Sequence, residues 1–334
     1  MKSTLRIAVG KVMVLVICTL LFTKTQAQHF VFGNEKLKVE AGLNFGPTFF
    51  LGDLGGNRGK GTTFIKDVNL ELTRLMKGAF ISVYPNDWMG IRVAGQYTYV
   101  EGKDEVINTT GEDEMYRKSR NLDFKSHMWE VYTALEFYPT MMFKKYDDYN
   151  PRLKPYGFVG VGLFHFDPQG SLTDVNGNVT WHKLQPLHTE GQGMAEYPNS
   201  KPYNLTQLNI PMGAGLKYAI SEKVTTGVEL LYRKTFTDYV DDVSTNYIDP
   251  YYFTTNLSAA DAAVARKIFD KTIFTLSPNS TPNVNTRVLP GDQRGNVNNK
   301  DAYFSFVLKL GIQLGYTNSD DKRTARQTRC PHFY

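Results

Sequence analysis

The sequence predicts an all-β fold, an antiparallel barrel of about eight membrane-spanning strands with long loops on one side, from three observations. Apolar and polar side chains alternate along eight segments of the chain. The connections between these segments fall into short and long classes. The chain also begins with the pattern of an export signal. A soluble sandwich would explain the alternation but gives no reason for long loops to collect on one side.

Composition excludes three other classes of protein. The 334 residues include 21 Phe, 20 Tyr and 28 Gly, which disfavours intrinsic disorder. Two cysteines are too few for a disulfide-stapled small domain. The longest apolar run, residues 12–22, is shorter than the roughly 20 residues that a membrane-spanning helix needs.

Residues 1–27 have the features of a secretory signal peptide. Lys2, Arg6 and Lys11 precede the apolar run, and the small residue Ala27 ends the segment. An N-terminal anchor helix is disfavoured because the run is short. Removing the segment takes four of the 38 bases and none of the 33 acids, so the remaining chain is nearly neutral and nucleic acid is not an expected partner. The chain therefore divides into a signal peptide at 1–27, a barrel at 28–317 and a periplasmic C-terminal tail at 318–334.

Period-two alternation identifies the strands. In the segment 302–316, even-numbered residues from Phe304 to Tyr316 are apolar or aromatic, whereas Ser305, Lys309 and Gln313 belong to the opposite face. Strands are predicted at 39–46, 79–84, 91–99, 129–137, 155–166, 208–217, 224–233 and 302–316. Segments 247–255 and 286–289 are ambiguous, so ten strands remain an alternative.

Loop lengths indicate the cell outer membrane. The connections 85–88 and 220–223 are short, and 140–153 is intermediate. The long connections are 52–77, 102–122, 168–203 and 235–301. Outer-membrane barrels have short periplasmic turns and longer extracellular loops, so outer-membrane lipid is the expected surrounding of the strands.

The strand faces opposite the apolar ones carry a balanced set of charges. They are Glu40, Glu130, Glu136 and Glu229 with Arg92, Lys217, Arg233 and Lys309. An eight-stranded barrel has an interior that side chains fill, and an unpaired buried charge costs several kcal/mol. Neighbouring strands predict the pairs Arg92–Glu136 and Glu229–Lys309. These charges are expected to plug the lumen as structural residues, and ion or proton conduction is the disfavoured alternative.

Catalytic and metal-binding patterns are weak. The sequence contains neither G-x-S-x-G nor H-E-x-x-H. His188 and Glu190 come nearest to an acid–base pair, and a solvated loop pair is the simpler interpretation. Asp238, Asp241 and Asp242 cluster without the glycine turn of a calcium loop, so loop capping is favoured. No enzyme activity, cofactor or metal is expected.

Two further segments are candidates for contacts. Residues 258–274 predict a short helix in the last long loop, with Ser258 and Asp261 as a capping box, and lid packing is favoured over partner binding. Its apolar face would be Ala262, Ala265, Ile268, Phe269 and Ile273. The tail carries possible partner contacts at Lys322, Arg323, Arg326, Arg329 and Phe333. A disordered tail and a partner-binding tail are equally compatible with the sequence.

Three stretches resemble one family. They are EAGLNFG at 40–46 leading to LGDL at 51–54, the run ELLYRKTFTDYVDDVS at 229–244, and CPHF at 330–333. With the barrel layout, these are similar to the PorG-type outer-membrane barrels of Bacteroidetes. The resemblance implies a structural component of the type IX secretion system, which anchors a periplasmic ring of proteins and a lipoprotein to the outer membrane. It brings no catalytic residues. The alternative function is a surface-binding or adhesin-like barrel that acts through its long loops.

Overall fold

The computed structural model describes residues 37–54, 71–107, 112–142, 151–273, 288–297 and 299–314. The predicted signal peptide at 1–27 and the tail at 318–334 lie outside these ranges. The described residues form ten strands: β1 Lys38–Leu51, β2 Arg74–Tyr84, β3 Met89–Lys103, β4 Asp123–Phe137, β5 Leu153–His165, β6 Pro168–Thr173, β7 Val179–Lys183, β8 Thr206–Ala219, β9 Val224–Thr235 and β10 Ala302–Leu314. Within the described ranges, no helix is long and apolar enough to cross a membrane.

Eight of these strands close into an antiparallel barrel. Around the barrel the order is β3, β2, β1, β10, β9, β8, β5 and β4, and the pairing of β3 with β4 closes the ring. The first and last barrel strands also pair, with Leu43 opposite Leu310. The eight-stranded antiparallel barrel that the sequence predicts is therefore confirmed.

The remaining two strands form a hairpin that the sequence did not predict. β6 pairs with β7 within the connection 168–203, for which the alternation pattern predicts only a loop. The turn between them is tight: Gly177 has φ +83°, and the Asp174 carboxylate accepts the amides of Asn176 and Asn178, both at 2.8 Å. The alternation of apolar and polar residues does not identify this hairpin because its two strands are short and largely polar.

In the described parts of the connections lie four α-helices: α1 Glu112–Arg120, α2 Pro139–Met142, α3 Tyr251–Asn256 and α4 Ala259–Ile268. The ambiguous segment 247–255 thus folds largely as α3 and adds no strand to the barrel. At the start of α4, the Ser258 hydroxyl accepts the amide of Asp261 at 3.2 Å, as the capping box predicts.

Apolar side chains cover the outside of the barrel. Leu43, Val161 and Ile312 are exposed by 62%, 66% and 57%, and the same outward face continues on each neighbouring strand. Such a continuous apolar belt is incompatible with water on all sides, and it matches the hydrocarbon layer of a bilayer. The protein is an integral barrel of the outer membrane.

The two ends of the barrel differ. The short turns at 85–88 and 220–223 share one end with the start of β1 and the end of β10, and this is the periplasmic side of an outer-membrane barrel. At the other end, the long connections pack into an extracellular cap with its own apolar core. Ala262, Ala265 and Ile268 of α4 are buried in this core, which confirms the predicted lid packing. Ile273 departs from the prediction because it is 49% exposed.

Candidate functional site

The barrel lumen contains a connected network of buried ions centred on Arg92. Its Nε lies 2.5 Å from Glu136 Oε1, and its Nη1 lies 2.8 Å from Glu229 Oε1. Lys309 Nζ lies 3.2 Å from Glu229 Oε2 and 3.9 Å from Glu136 Oε1. Both pairs that neighbouring strands predict are present. The contact between Arg92 and Glu229 crosses the lumen from β3 to β9, so strand adjacency alone does not reveal it.

Two further pairs complete the set of lumen charges. Lys217 of β8 contacts Glu40 of β1. Arg233 Nε of β9 lies 3.3 Å from Glu130 Oε2 of β4. Neither pair joins neighbouring strands, because long side chains reach across a narrow interior. All eight charges that the sequence assigns to the lumen thus take part in at least one ion pair.

Tyrosines satisfy the carboxylates further and fill the remaining space. Tyr156 Oη donates to Glu229 Oε2 at 2.5 Å, and Tyr138 Oη donates to Glu136 Oε2 at 2.7 Å. The Arg92 guanidinium also lies 4.9 Å from the centre of the Phe158 ring. The sequence predicted the charges of the plug but not the tyrosines that hydrogen-bond them, since side-chain contacts across the lumen depend on how the sheet closes.

The plug leads to a prediction about conductance. We expect the purified barrel in a planar lipid bilayer to produce no stable single-channel steps, because paired ions and aromatic rings occupy the lumen. Replacing Phe158 by glycine should introduce flickering conductance, whereas replacing the outward-facing Val159 by alanine should not. Stable channels in the unmodified protein would contradict a closed lumen.

A second buried polar cluster lies outside the strands, at the base of the cap. It consists of four aspartates: Asp53 after β1, Asp238 and Asp241 after β9, and Asp301 before β10. Their carboxylates are close enough to repel one another electrostatically. All four side chains are buried. The cluster includes two of the three aspartates that the sequence singled out, together with two distant ones that only the fold brings near.

These carboxylates connect separate loops. Asp241 Oδ2 accepts the amide of Leu54 at 3.0 Å, which ties the last long loop to the first. Asp301 Oδ2 accepts the amide of Val240 at 2.8 Å. Asp241 Oδ1 also accepts the amide of Val243 at 3.0 Å, so the predicted loop capping applies to Asp241.

Burial changes the protonation of the cluster. Removal from water raises the pKa of Asp238 to about 7, and it raises the pKa values of Asp241 and Asp301 well above the usual range for a carboxyl group. Repulsion from the neighbouring carboxylates acts in the same direction at all three positions. The cluster therefore binds protons more readily than exposed aspartates do.

Glu190 is buried, so the solvated loop pair with His188 that the sequence favours is wrong. Arg294 Nη1 lies 2.9 Å from Glu190 Oε1, and the amides of Ser244 and Thr245 both donate to this carboxylate at 2.9 Å. In the described part of the chain, no hydrogen bond joins Glu190 to His188. Among the same residues, no group of three or more His, Cys, Asp or Glu side chains could hold a metal ion.

The periplasmic mouth holds a cavity of about 340 Å³. Lys38, Arg152, Lys154 and Lys217 are among its lining residues, together with Gln313 near the end of β10. Its floor is the plug, because Lys217 belongs to the lumen network. The predicted partner contacts Lys322, Arg323, Arg326, Arg329 and Phe333 lie outside the described residues.

Strand closure and the apolar belt define the class of this chain as a small outer-membrane β-barrel. No protein-family model matches it, and neither does any curated protein. Similar solved structures include Ail, the attachment invasion locus protein of Yersinia pestis (9% identity, TM-score 0.32, 83% of this chain and 99% of that chain). OprG from Pseudomonas aeruginosa shows 12% identity and a TM-score of 0.32 over 84% of this chain and 96% of that chain. A major outer membrane protein from Thermus thermophilus shows 9% identity and a TM-score of 0.34 over 84% of this chain and 100% of that chain. Likeness at this level says nothing about what this chain binds.

Proposed function

We propose that this chain is a non-catalytic structural barrel that anchors a protein-secretion complex of the type IX kind to the outer membrane. The observation that carries the proposal is the closed lumen: four buried carboxylates and four bases pair inside it. A barrel with a filled interior offers its surfaces for function, and a rigid interior suits an anchor.

The periplasmic end is the part available to such a complex. The cavity at this end is polar and carries more basic than acidic side chains in its lining. Met142, in the connection between β4 and β5, is 58% exposed. Exposed apolar residues beside a polar cavity are typical of a protein contact surface.

The proposed partners come from the resemblance of the chain to PorG-type barrels. They are the periplasmic ring proteins and lipoprotein of the secretion complex. The proposed contacts are the connection 140–153 and the tail, with Lys322, Arg323, Arg326, Arg329 and Phe333. Four bases within eight residues would suit a partner surface that carries carboxylates.

A pull-down from cross-linked cells tests this proposal. The affinity tag belongs between Asn176 and Gly177, in an exposed hairpin turn where an insertion disturbs no buried contact. We expect periplasmic ring proteins and a lipoprotein to accompany the full chain, and to be lost when 318–334 is deleted. A variant with alanine at the four tail bases keeps the tail length and isolates the contribution of charge.

Folding of each variant is checked by its heat-dependent mobility on gels, which reports a closed barrel. If the full-length barrel is recovered alone after cross-linking, the anchoring proposal is wrong. Loss of a cellular phenotype on removal of the hairpin, with the tail intact, would instead favour surface binding through the long loops.

A further inference from the structure

One group of side chains on the lipid-facing surface mixes a cation with aromatic rings. Lys77 of β2 lies opposite Tyr97 of β3, Tyr97 lies opposite Trp129 of β4, and Trp129 lies opposite His165 of β5. From Phe137 to Trp129, β4 presents nine residues, about the length that crosses a bilayer. This row therefore marks the boundary between the hydrocarbon layer and the outer-leaflet headgroups.

Direct contacts hold the group together. Lys77 Nζ lies 5.6 Å from the centre of the Tyr97 ring, and the rings of Tyr97 and Trp129 are 4.7 Å apart. The Tyr97 hydroxyl hydrogen-bonds His127 Nδ1 at 2.5 Å, and the Tyr99 ring lies 5.0 Å from the His127 ring. The bond at Nδ1 orients the exposed His127 ring, whose Nε2 has no hydrogen-bond partner among the described residues.

The cation in this group lacks a protein counter-ion. Lys77 is exposed and forms no ion pair with a carboxylate in the described part of the chain. The acidic residues nearest in register are engaged elsewhere: Glu101 lies 2.5 Å from Arg74, and Asp123 contacts Lys271. A lysine on the lipid face of a barrel is strongly destabilising at the midplane and tolerated near the interface. An anionic headgroup at the interface is the partner that such a lysine lacks.

A second cation lies next to the group on the side away from the membrane. Lys125, two residues before His127 on the same face of β4, lies 4.1 Å from the centre of the Trp181 ring on the β6–β7 hairpin. Basic and aromatic side chains thus continue from the edge of the hydrocarbon layer toward the extracellular side. This arrangement suits a phosphate above an acyl chain, because rings contact the chain while cations meet the phosphate.

We propose that Lys77, Tyr97, His127 and Trp129 form a binding site for the phosphate headgroup of an anionic lipid in the outer leaflet. Lys77 supplies the charge, and His127 Nε2 donates a hydrogen bond. The Tyr97 and Trp129 rings pack against the first part of the acyl chain. The site does not depend on a secretion role, so it can be tested on the purified barrel alone.

The test measures lipid retention by native mass spectrometry, with bisphosphorylated lipid A added to the purified barrel in detergent. We expect Lys77→Gln to reduce the lipid-bound fraction about fivefold, as loss of one interfacial lysine implies. Lys77→Arg should retain binding. The matched control is Lys234→Gln, which removes another exposed, outward-facing lysine, on β9, that contacts no ring among the described residues.

Heat-dependent gel mobility confirms that each variant is folded before it is compared. Equal retention by the wild type and Lys77→Gln would overturn the proposal, as would equal loss in Lys234→Gln. Binding of phosphatidylcholine as strong as that of lipid A would also overturn it. If inorganic phosphate at millimolar concentration displaces the lipid completely, the site recognises free phosphate and the lipid assignment is wrong.

Discussion

Replacing Arg92 by methionine is expected to lower the free energy of unfolding of the barrel by about 3–5 kcal/mol. The substitution leaves Glu136 and Glu229, both fully buried, with Lys309 as their nearest cation. Leaving a buried carboxylate unpaired destabilises the folded state by more than the intact ion pair stabilised it, because the charge remains out of water. Urea unfolding in lipid vesicles, followed by tryptophan fluorescence, measures the change.

A charge deletion at the surface is the matched control. Lys38 is paired with Asp87 at 2.6 Å, but its side chain is 47% exposed. We expect Lys38→Met to cost less than about 1 kcal/mol, because solvent screens the pair. Adding Glu136→Gln to Arg92→Met should restore much of the lost stability, because Glu229 and Lys309 then remain as a pair at 3.2 Å. Equal effects of Arg92→Met and Lys38→Met would show that the lumen network does not stabilise the barrel.

Stability of the extracellular cap is expected to fall as pH rises from about 5 to about 8. Burial raises the pKa of Asp238 to about 7 and places the pKa values of Asp241 and Asp301 well above normal. The folded cap therefore binds more protons than the unfolded chain, in which an aspartate has a pKa of about 3.9. For Asp238 this contribution is complete below about pH 4 and is lost as pH rises through about 7.

Hydrogen–deuterium exchange at two pH values measures this effect. After correction for the intrinsic rate, the amides of Leu54 and Val240, which donate to these carboxylates, should exchange faster at the higher pH. Asp238→Asn should weaken the dependence, since it removes one buried charge and keeps an acceptor for Ser244, whose hydroxyl lies at 2.7 Å. Near pH 8, Asp238→Asn should raise the free energy of unfolding of the cap by about 1–3 kcal/mol relative to the unmodified protein.

Asp174 provides the control for this experiment. It lies in the exposed hairpin turn, where hydrogen bonds from Asn178 lower its pKa, so it stays ionised throughout the range. Asp174→Asn should leave the pH dependence of the cap unchanged. Exchange rates that are equal at both pH values would contradict the shared protonation of the aspartate cluster.

Much of the barrel was predictable from the sequence because its strands have two chemically different faces. Lipid demands apolar side chains at every second position, and a filled lumen tolerates polar ones, so period-two alternation located all eight strands. The same reasoning identified the eight lumen charges and the adjacent pairs Arg92–Glu136 and Glu229–Lys309. Hairpin β6–β7 lies above the membrane, where neither constraint acts, and its short polar strands carry no comparable pattern.

The sequence alone thus determined the barrel class, the side of the long loops and the inventory of lumen charges, because these follow from local alternation and spacing. Only the tertiary structure decided which charges meet across the lumen, since contacts such as Arg92–Glu229 depend on how the sheet curves and closes. It also decided that Asp53, Asp238, Asp241 and Asp301 come together in the cap. Asp53 and Asp301 are far apart in the sequence and come together because β1 pairs with β10. A local sequence pattern cannot predict such a contact between distant residues.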